Sequence, residues 1–163
     1  MAKAPRDCPC FSGARYLACC AAILRGEREA ESPESLMRSR YAAFALGLGE
    51  YLVRTLAQDH PDRLLAHAPF VQELTRAHET RRFMGLRILH AATNGDAGEV
   101  MFYARIFEKG VDRSFVELSG FSRENDAWRY ASGIMLPKAD LPLNLETLVP
   151  DDIRRAAGAP QAE

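Results

Sequence analysis

The chain has 163 residues, 47% of them hydrophobic and 26% charged, and a formal net charge of −1. That balance excludes a disordered polymer and leaves no overall charge to draw the protein toward nucleic acid or an acidic membrane. No apolar run nears the roughly 18 residues that cross a bilayer, and the N-terminus lacks the apolar stretch of a secretory signal, so a cytoplasmic protein without membrane insertion is expected.

Residues 1–31 are poor in large apolar side chains, contain all four cysteines, and end in the charged stretch Arg25 to Glu31. A small module followed by a linker is expected there. Cys8 and Cys10 are two apart, eight residues intervene, and Cys19 and Cys20 are adjacent. A disulfide framework spreads its cysteines to staple a core, whereas a cluster like this points to a metal. The two pairs converge if the chain turns at Ser12-Gly13 and a short helix from about Ala14 returns the second pair. Four thiolates in a tetrahedron are the favoured set for structural zinc and leave no position for a substrate. The excess negative charge of such a site calls for cations nearby, with Lys3, Arg6, Arg15 and Arg25 as candidates. A thiol switch and an iron–sulfur cluster use the same residue type and stay open as alternatives.

Ser32-Pro33-Glu34 reads as a helix start: a capping hydroxyl, a proline where its missing N–H costs nothing, and an acid at the positive end of the dipole. Met37, Tyr41, Phe44 and Leu48 then recur at spacings that line one helical face. Gly47 and Gly49 weaken the helix, so Glu50 to Leu56 is either a continuation past a kink or a second short helix. After a break around Pro61, a further helix is expected from about Pro69 to Arg82, with Phe70, Leu74 and Ala77 facing inward.

From residue 84 the period changes. Segments 84–92, 98–108, 112–123 and 127–134 are rich in aromatic and branched residues. Asn94-Gly95-Asp96, Lys109-Gly110 and Asn125-Asp126 separate them, the pattern of an antiparallel meander. Phe115, Glu117, Ser119 and Phe121 share one face of the third segment, and Val116, Leu118 and Gly120 share the other. Both faces are partly apolar, so a curved sheet covered by the helices is expected, in an α+β fold. Residues 137–163 read as a tail with a weak helical signal from Asp151 to Ala157. The expected organisation is therefore a module at 1–31, a domain at 32–136 and a tail at 137–163.

The run from Cys8 to Cys20 resembles the SEC-C motif, a short zinc-binding segment found at the C-terminus of the SecA translocase. The resemblance implies that Cys8, Cys10, Cys19 and Cys20 bind a structural Zn2+, that Ser12-Gly13 is the turn, and that Tyr16 holds the aromatic position. Phe11 departs from the motif, which commonly has glycine there. Ser32 to Phe44, Tyr51-Leu52, Gly85-Leu86 and Phe121 to Glu124 with Trp128 extend the likeness over roughly residues 7–134 to the bacterial YchJ family. That resemblance implies an NTF2-like cone, in which a curved antiparallel sheet wraps around helices, behind an N-terminal SEC-C motif. Some members end in a second SEC-C motif, but this tail has no cysteine.

NTF2-like cones often enclose a pocket, and the chemistry available for one here is Arg38, Arg40 and Tyr41 on the first long helix and His90, Arg105 and Glu117 on the strands. Arg38, Arg40, Tyr41, Arg105 and Glu117 are taken as the pocket candidates. A buried glutamate beside an arginine would bind an anion or serve as a base. The simpler reading is an ion pair from Glu117 to Arg38 or Arg40 that fixes helix against sheet. His90 is expected at the surface, and Tyr41, Phe44, Phe102, Phe115 and Trp128 in the core.

No catalytic set is identified. The first functional expectation is a non-enzymatic, zinc-bearing adaptor that docks onto a protein or ribonucleoprotein partner. The likeness to SecA implies work near protein export, the ribosome or quality control. The second is a protein that binds or converts a small molecule in its cone. A homodimer paired through the sheets, as NTF2-like domains often form, is a further expectation.

Overall fold

The structure, a computed structural model, describes residues 3–158. A short helix, α1 (Ala21–Leu24), closes the cysteine-bearing segment. The first long helix, α2 (Pro33–Leu46), begins where its cap dictates: Ser32 Oγ accepts a 3.1 Å hydrogen bond from Ser35 N, and Pro33 takes the first helical position. It ends at Gly47, whose φ of 71° lies in the left-handed region. The chain then re-enters a separate helix, α3 (Gly49–Arg54), rather than continuing α2 past a kink.

The two glycines also allow α4 (His67–Thr80) to pack closely, because a Cβ on Gly47 would meet the His78 ring and one on Gly49 would meet the backbone oxygen of Val71. Helix α4 starts two residues before the expected Pro69 and stops at Thr80. Arg81 is already extended at φ −114° and begins the sheet three residues early.

The strands are β1 (Arg81–Asn94), β2 (Ala97–Glu108), β3 (Val111–Asp112), β4 (Phe115–Glu124) and β5 (Ala127–Pro137). They form one antiparallel sheet in the order β1-β2-β4-β5, with β3 paired to β2. Lys109-Gly110 and Asn125-Asp126 all have positive φ, the backbone that matches a tight hairpin to the strand twist. The segment expected as one strand from 112 is interrupted at Ser114. Its side chain turns inward, 2% exposed, and accepts a 3.1 Å hydrogen bond from Ile106 N, replacing a ladder bond. Register shifts in β1, between Phe83 and Gly85 and between Ile88 and His90, and in β5 opposite Gly120-Phe121, bend the sheet.

On the concave face Phe102, Ala104, Ile106, Phe121 and Trp128 pack against Leu36, Met37 and Tyr41 of α2 and Tyr51 and Leu52 of α3. The convex face is covered differently from expectation. Met101, Val116 and Leu118 are buried by Leu141, Leu145 and Leu148 of the C-terminal segment and by Ile153, 0% exposed, from α5 (Pro150–Ala156). The helices cannot reach that side, because alternation along each strand sends residues 116 and 118 away from them. Described residues from 138 onward therefore lie over the domain, and Arg154 fastens them to Glu99 on β2. The arrangement is the expected α+β one, helices followed by a curved antiparallel sheet.

Candidate metal centre and cone cavity

Residues 6–20 fold as a knuckle held by backbone hydrogen bonds: Cys8 N to Ala14 O at 3.0 Å, Phe11 N to Cys8 O at 3.1 Å, and Tyr16 N to Arg6 O at 3.0 Å. The turn requires a left-handed residue at position 11, where φ is 59°, and Gly13 follows at 86°. Phe11 bears that conformation with its ring half-exposed and edge-on to Tyr41, centroids 6.2 Å apart. One turn of 3-10 helix at Tyr16–Ala18 then carries Cys19 and Cys20 back to the first pair.

The four Sγ atoms lie within 4.8 Å of one another. Cys10 and Cys19 are 3.6 Å apart and Cys19 and Cys20 3.9 Å, while Ser12 Oγ stands 3.2 Å from Cys19 Sγ. Cys8, Cys10 and Cys20 are buried, together with Tyr16, Ala21 and Ala42 of α2. Taken as thiols, Cys8, Cys10 and Cys20 cannot all ionise. Hydrogen bonds from Cys20 and then Cys8 hold Cys10 far below the ordinary thiol range. The Cys10 partnership in turn pushes Cys8 up to about 11 and Cys20 further up. One negative charge among close-set sulfurs suppresses the next unless a cation sits between them, and the donor set fits that role.

Arg38 belongs to this centre and not to the cone. Its Nη1 donates to the carbonyl oxygen of Cys10 at 3.1 Å and its Nε to Glu34 Oε2 at 3.2 Å. Two residues apart on a helix are about 200° apart in projection, so Arg38 and Arg40 face opposite ways. Of the four cations expected to surround the sulfurs, Lys3, Arg6, Arg15 and Arg25 are all exposed.

Between α2, α3, α4 and the concave sheet face lies a cavity of about 570 Å³. Its wall is mainly apolar, with Met37, Phe44, Leu74, Phe83 and Phe115 among the lining side chains. Arg40, Tyr41 and Glu117 also line it. Arg105 does not: it lies on the convex side of β2, opposite Gly85, with its guanidinium 5.6 Å from the Phe107 ring centroid. His90 is likewise on the convex side, paired with Glu99 at 3.2 Å.

The anticipated ion pair from Glu117 to Arg38 or Arg40 is not formed. Glu117 Oε1 instead accepts hydrogen bonds from Tyr130 OH at 2.7 Å and Ser119 Oγ at 2.8 Å. Arg40 Nη1 donates to Leu52 O at 2.7 Å and Thr55 Oγ1 at 2.5 Å, and the guanidinium sits 4.7 Å from the Tyr130 ring centroid. Burial lowers the Arg40 pKa and raises that of Tyr130, the latter helped by the Glu117 charge, so the phenol stays a donor. Tyr41 donates to Gly85 O at 2.8 Å, and burial raises its pKa as well.

Residues 32–133 match the family model described as YchJ, middle NTF2-like domain. The chain belongs to the YchJ family. It is similar to a SEC-C motif containing protein from Rhodopseudomonas palustris, known from a solution structure. The two share 37% identity, with a TM-score of 0.68, over 77% of this chain and 95% of that one. A SEC-C motif containing protein from Psychrobacter arcticus, known from a crystal structure, has the same fold at 23% identity and a TM-score of 0.64, over 77% of this chain and 80% of that one. No helix among the described residues is long and apolar enough to cross a membrane.

Sequence reasoning named neither Tyr130 nor His60 among the polar residues of this YchJ cavity, nor Asp62, Arg81, Glu108 and Arg113. Tyr130 was detectable in principle, two positions from Trp128 on the same strand face. His60 carried no signal: it enters from the turn before a short 3-10 helix, and only the tertiary packing brings its ring 5.6 Å from that of Tyr130.

Proposed function

We propose that this chain is a zinc-organised interaction protein, in which Cys8, Cys10, Cys19 and Cys20 hold one structural Zn2+ and present the knuckle around them to a protein or ribonucleoprotein partner. The observation that carries the metal is the convergence of the four sulfurs to mutual distances within 4.8 Å. Four sulfurs at about 2.3 Å from one ion stand roughly 3.8 Å apart in a tetrahedron, close to the 3.6 Å and 3.9 Å separations of Cys19 from its neighbours. All four positions belong to the protein, so the ion's work is architectural. It replaces a hydrophobic interior in a segment too short to build one, and binding supplies folding free energy directly.

The docking reading is supported by what the knuckle exposes. Leu17 is 67% and Phe11 47% exposed, with the exposed cations Arg6 and Arg15 beside them in the chain. Exposed apolar side chains in a knuckle that also exposes Arg6 and Arg15, with Asp7 as its one exposed acid, suit a surface of apolar and acidic groups. The motif's likeness to the SecA segment directs the search for that partner to protein export, the ribosome and quality control. The segments 1–31, 32–136 and 137–163 are proposed as module, cone and C-terminal tail of one working unit, and the cytoplasm as its place.

The test is elemental analysis of the purified chain together with affinity purification from the native host. Expected are one zinc per chain, its release on thiol modification, and a partner retained by the parent chain but lost by Leu17→Ser and Cys19→Ser. A chain that purifies without stoichiometric metal, or a Leu17→Ser chain that keeps every partner, overturns the reading.

A further inference from the structure

A cavity of about 570 Å³ is within the range that holds small molecules, roughly 300–1,000 Å³, and is far larger than the voids of a close-packed core. Its buried charged groups, Arg40 and Glu117, stand where α2 faces β4 and β5 and are incompletely used, whereas Asp62, Arg81, Glu108 and Arg113 line it with more exposed side chains. Arg40 is only 9% exposed, yet among the described residues only its Nη1 has hydrogen-bond partners, and no carboxylate lies within 4.0 Å of it. Glu117 is 8% exposed, and both of its hydrogen bonds fall on Oε1, leaving Oε2 without a protein donor. Both side chains line the cavity.

A buried cation and a buried anion that do not touch are expensive as structural elements, since each keeps most of its desolvation cost and neither gains the other's full attraction. Their spacing is nevertheless held by design of the backbone. Arg40 is tied to the end of α3 through Leu52 O and Thr55 Oγ1 and stacked on the Tyr130 ring. Glu117 is tied to the same tyrosine through its hydroxyl. Gly133 has no side chain, and a Cβ there would collide with Tyr130 OH and with Glu117 Oε1. The pair therefore offers guanidinium donors and a carboxylate acceptor, each held against Tyr130, within one mainly apolar chamber.

We propose that the cone binds an uncharged, mainly apolar small molecule whose single polar end sets a hydrogen-bond acceptor beside a donor, as in a primary amide, with the acceptor on Arg40 and the donor on Glu117. The two protein charges cancel, so a ligand without net charge satisfies both. A carboxylate ligand gains Arg40 but meets the Glu117 anion, and an ammonium ligand gains Glu117 but meets the Arg40 cation. The aromatic and aliphatic wall, including Phe44, Phe83 and Leu74, takes the apolar body. This site is separate from the cysteine centre and its occupation does not depend on the docking reading.

The experiment compares three probes of one shape, 3-phenylpropanamide, 3-phenylpropanoate and 3-phenylpropylamine, by calorimetry and ligand-observed NMR on the full-length chain as purified. The amide is expected to saturate one site, with the acid and the amine at least about tenfold weaker, because each leaves one buried charge opposed. Glu117→Gln keeps the shape and removes the anion, so the acid should gain on the amide by about tenfold or more in that variant. Leu74→Trp, which fills the chamber from α4 and touches neither charged group, should abolish binding of all three while leaving the folded signal intact. No saturable binding by any probe at millimolar concentration, acid binding equal to amide in the parent chain, or an unchanged preference in Glu117→Gln each overturns the proposal.

Discussion

Arg38 Nη1 donates a 3.1 Å hydrogen bond to the carbonyl oxygen of Cys10, and this contact ties the cysteine knuckle to the helix whose opposite face enters the cone through Arg40. With Ala42 buried among the cysteines and Ile23 and Ala30 buried in the main core, the knuckle is built onto α2 and does not hang from a loose linker.

Removal of that contact tests the join. Arg38→Ala should lower stability by about 1–2 kcal/mol, the range for a partly buried charge-assisted hydrogen bond, and should speed metal loss to a chromogenic chelator. Arg38→Lys should restore little, because a lysine cannot span Cys10 O and Glu34 together with a planar fork. Denaturant unfolding and chelator kinetics on the same preparations check both expectations.

Gly49 marks the close approach of α3 and α4. A Cβ there would press on the backbone oxygen of Val71 and on the Thr75 side chain, and backbone cannot turn aside as a flexible side-chain tip can. Gly49→Ala should cost about 1–3 kcal/mol by thermal or denaturant unfolding, despite the better helix propensity of alanine.

Ile153 decides whether the C-terminal segment belongs to the fold. It is 0% exposed against Met101, Val116 and Leu118. Ile153→Ala should destabilise the whole domain by about 2–5 kcal/mol, in a single unfolding transition. Ending the chain after residue 137 should expose the convex face and produce self-association measurable by light scattering. A truncated chain that stays as stable and as monodisperse as the parent contradicts the covering role.

His60 gives the cone a pH dependence. Burial lowers its pKa from the usual 6.5, with Asp62 opposing and Arg40 and Arg63 reinforcing the shift, and its Nδ1 accepts a hydrogen bond from Asp62 N. The unfolded chain then binds the proton more readily than the folded one. The stability that neutral His60 contributes is full above about pH 6.5 and is lost as the pH falls from there toward its lowered folded value. His60→Asn keeps an acceptor for Asp62 N and cannot titrate. The difference in melting temperature between the two chains should therefore shift in favour of the variant as the pH is taken from 7.5 to 5.5.

Much of the fold follows from local rules. The Ser32 cap, the proline after it, the Gly47 stop and the paired turn residues act over a few positions, and the elements begin and end close to where those signals stand. Strand alternation likewise assigned Phe115, Glu117, Ser119 and Phe121 to one face, and these four side chains do line the cavity. Arg38 was separable from Arg40 by helical projection alone, and Arg105 from Phe102 by strand parity, so both were legible and misread.

Spacing and turn residues within one short segment are enough to bring Cys8, Cys10, Cys19 and Cys20 together, so the four-sulfur cluster was legible from the order of residues alone. The order of helices and strands was legible in the same way. What Glu117 touches, the separation of Arg40 from it, and the covering of the convex face by residues 138–158 were set by long-range packing. Those outcomes depend on register shifts in β1 and β5 and on contacts between groups far apart in the chain, where a displacement of one residue turns a side chain to the other side of the sheet.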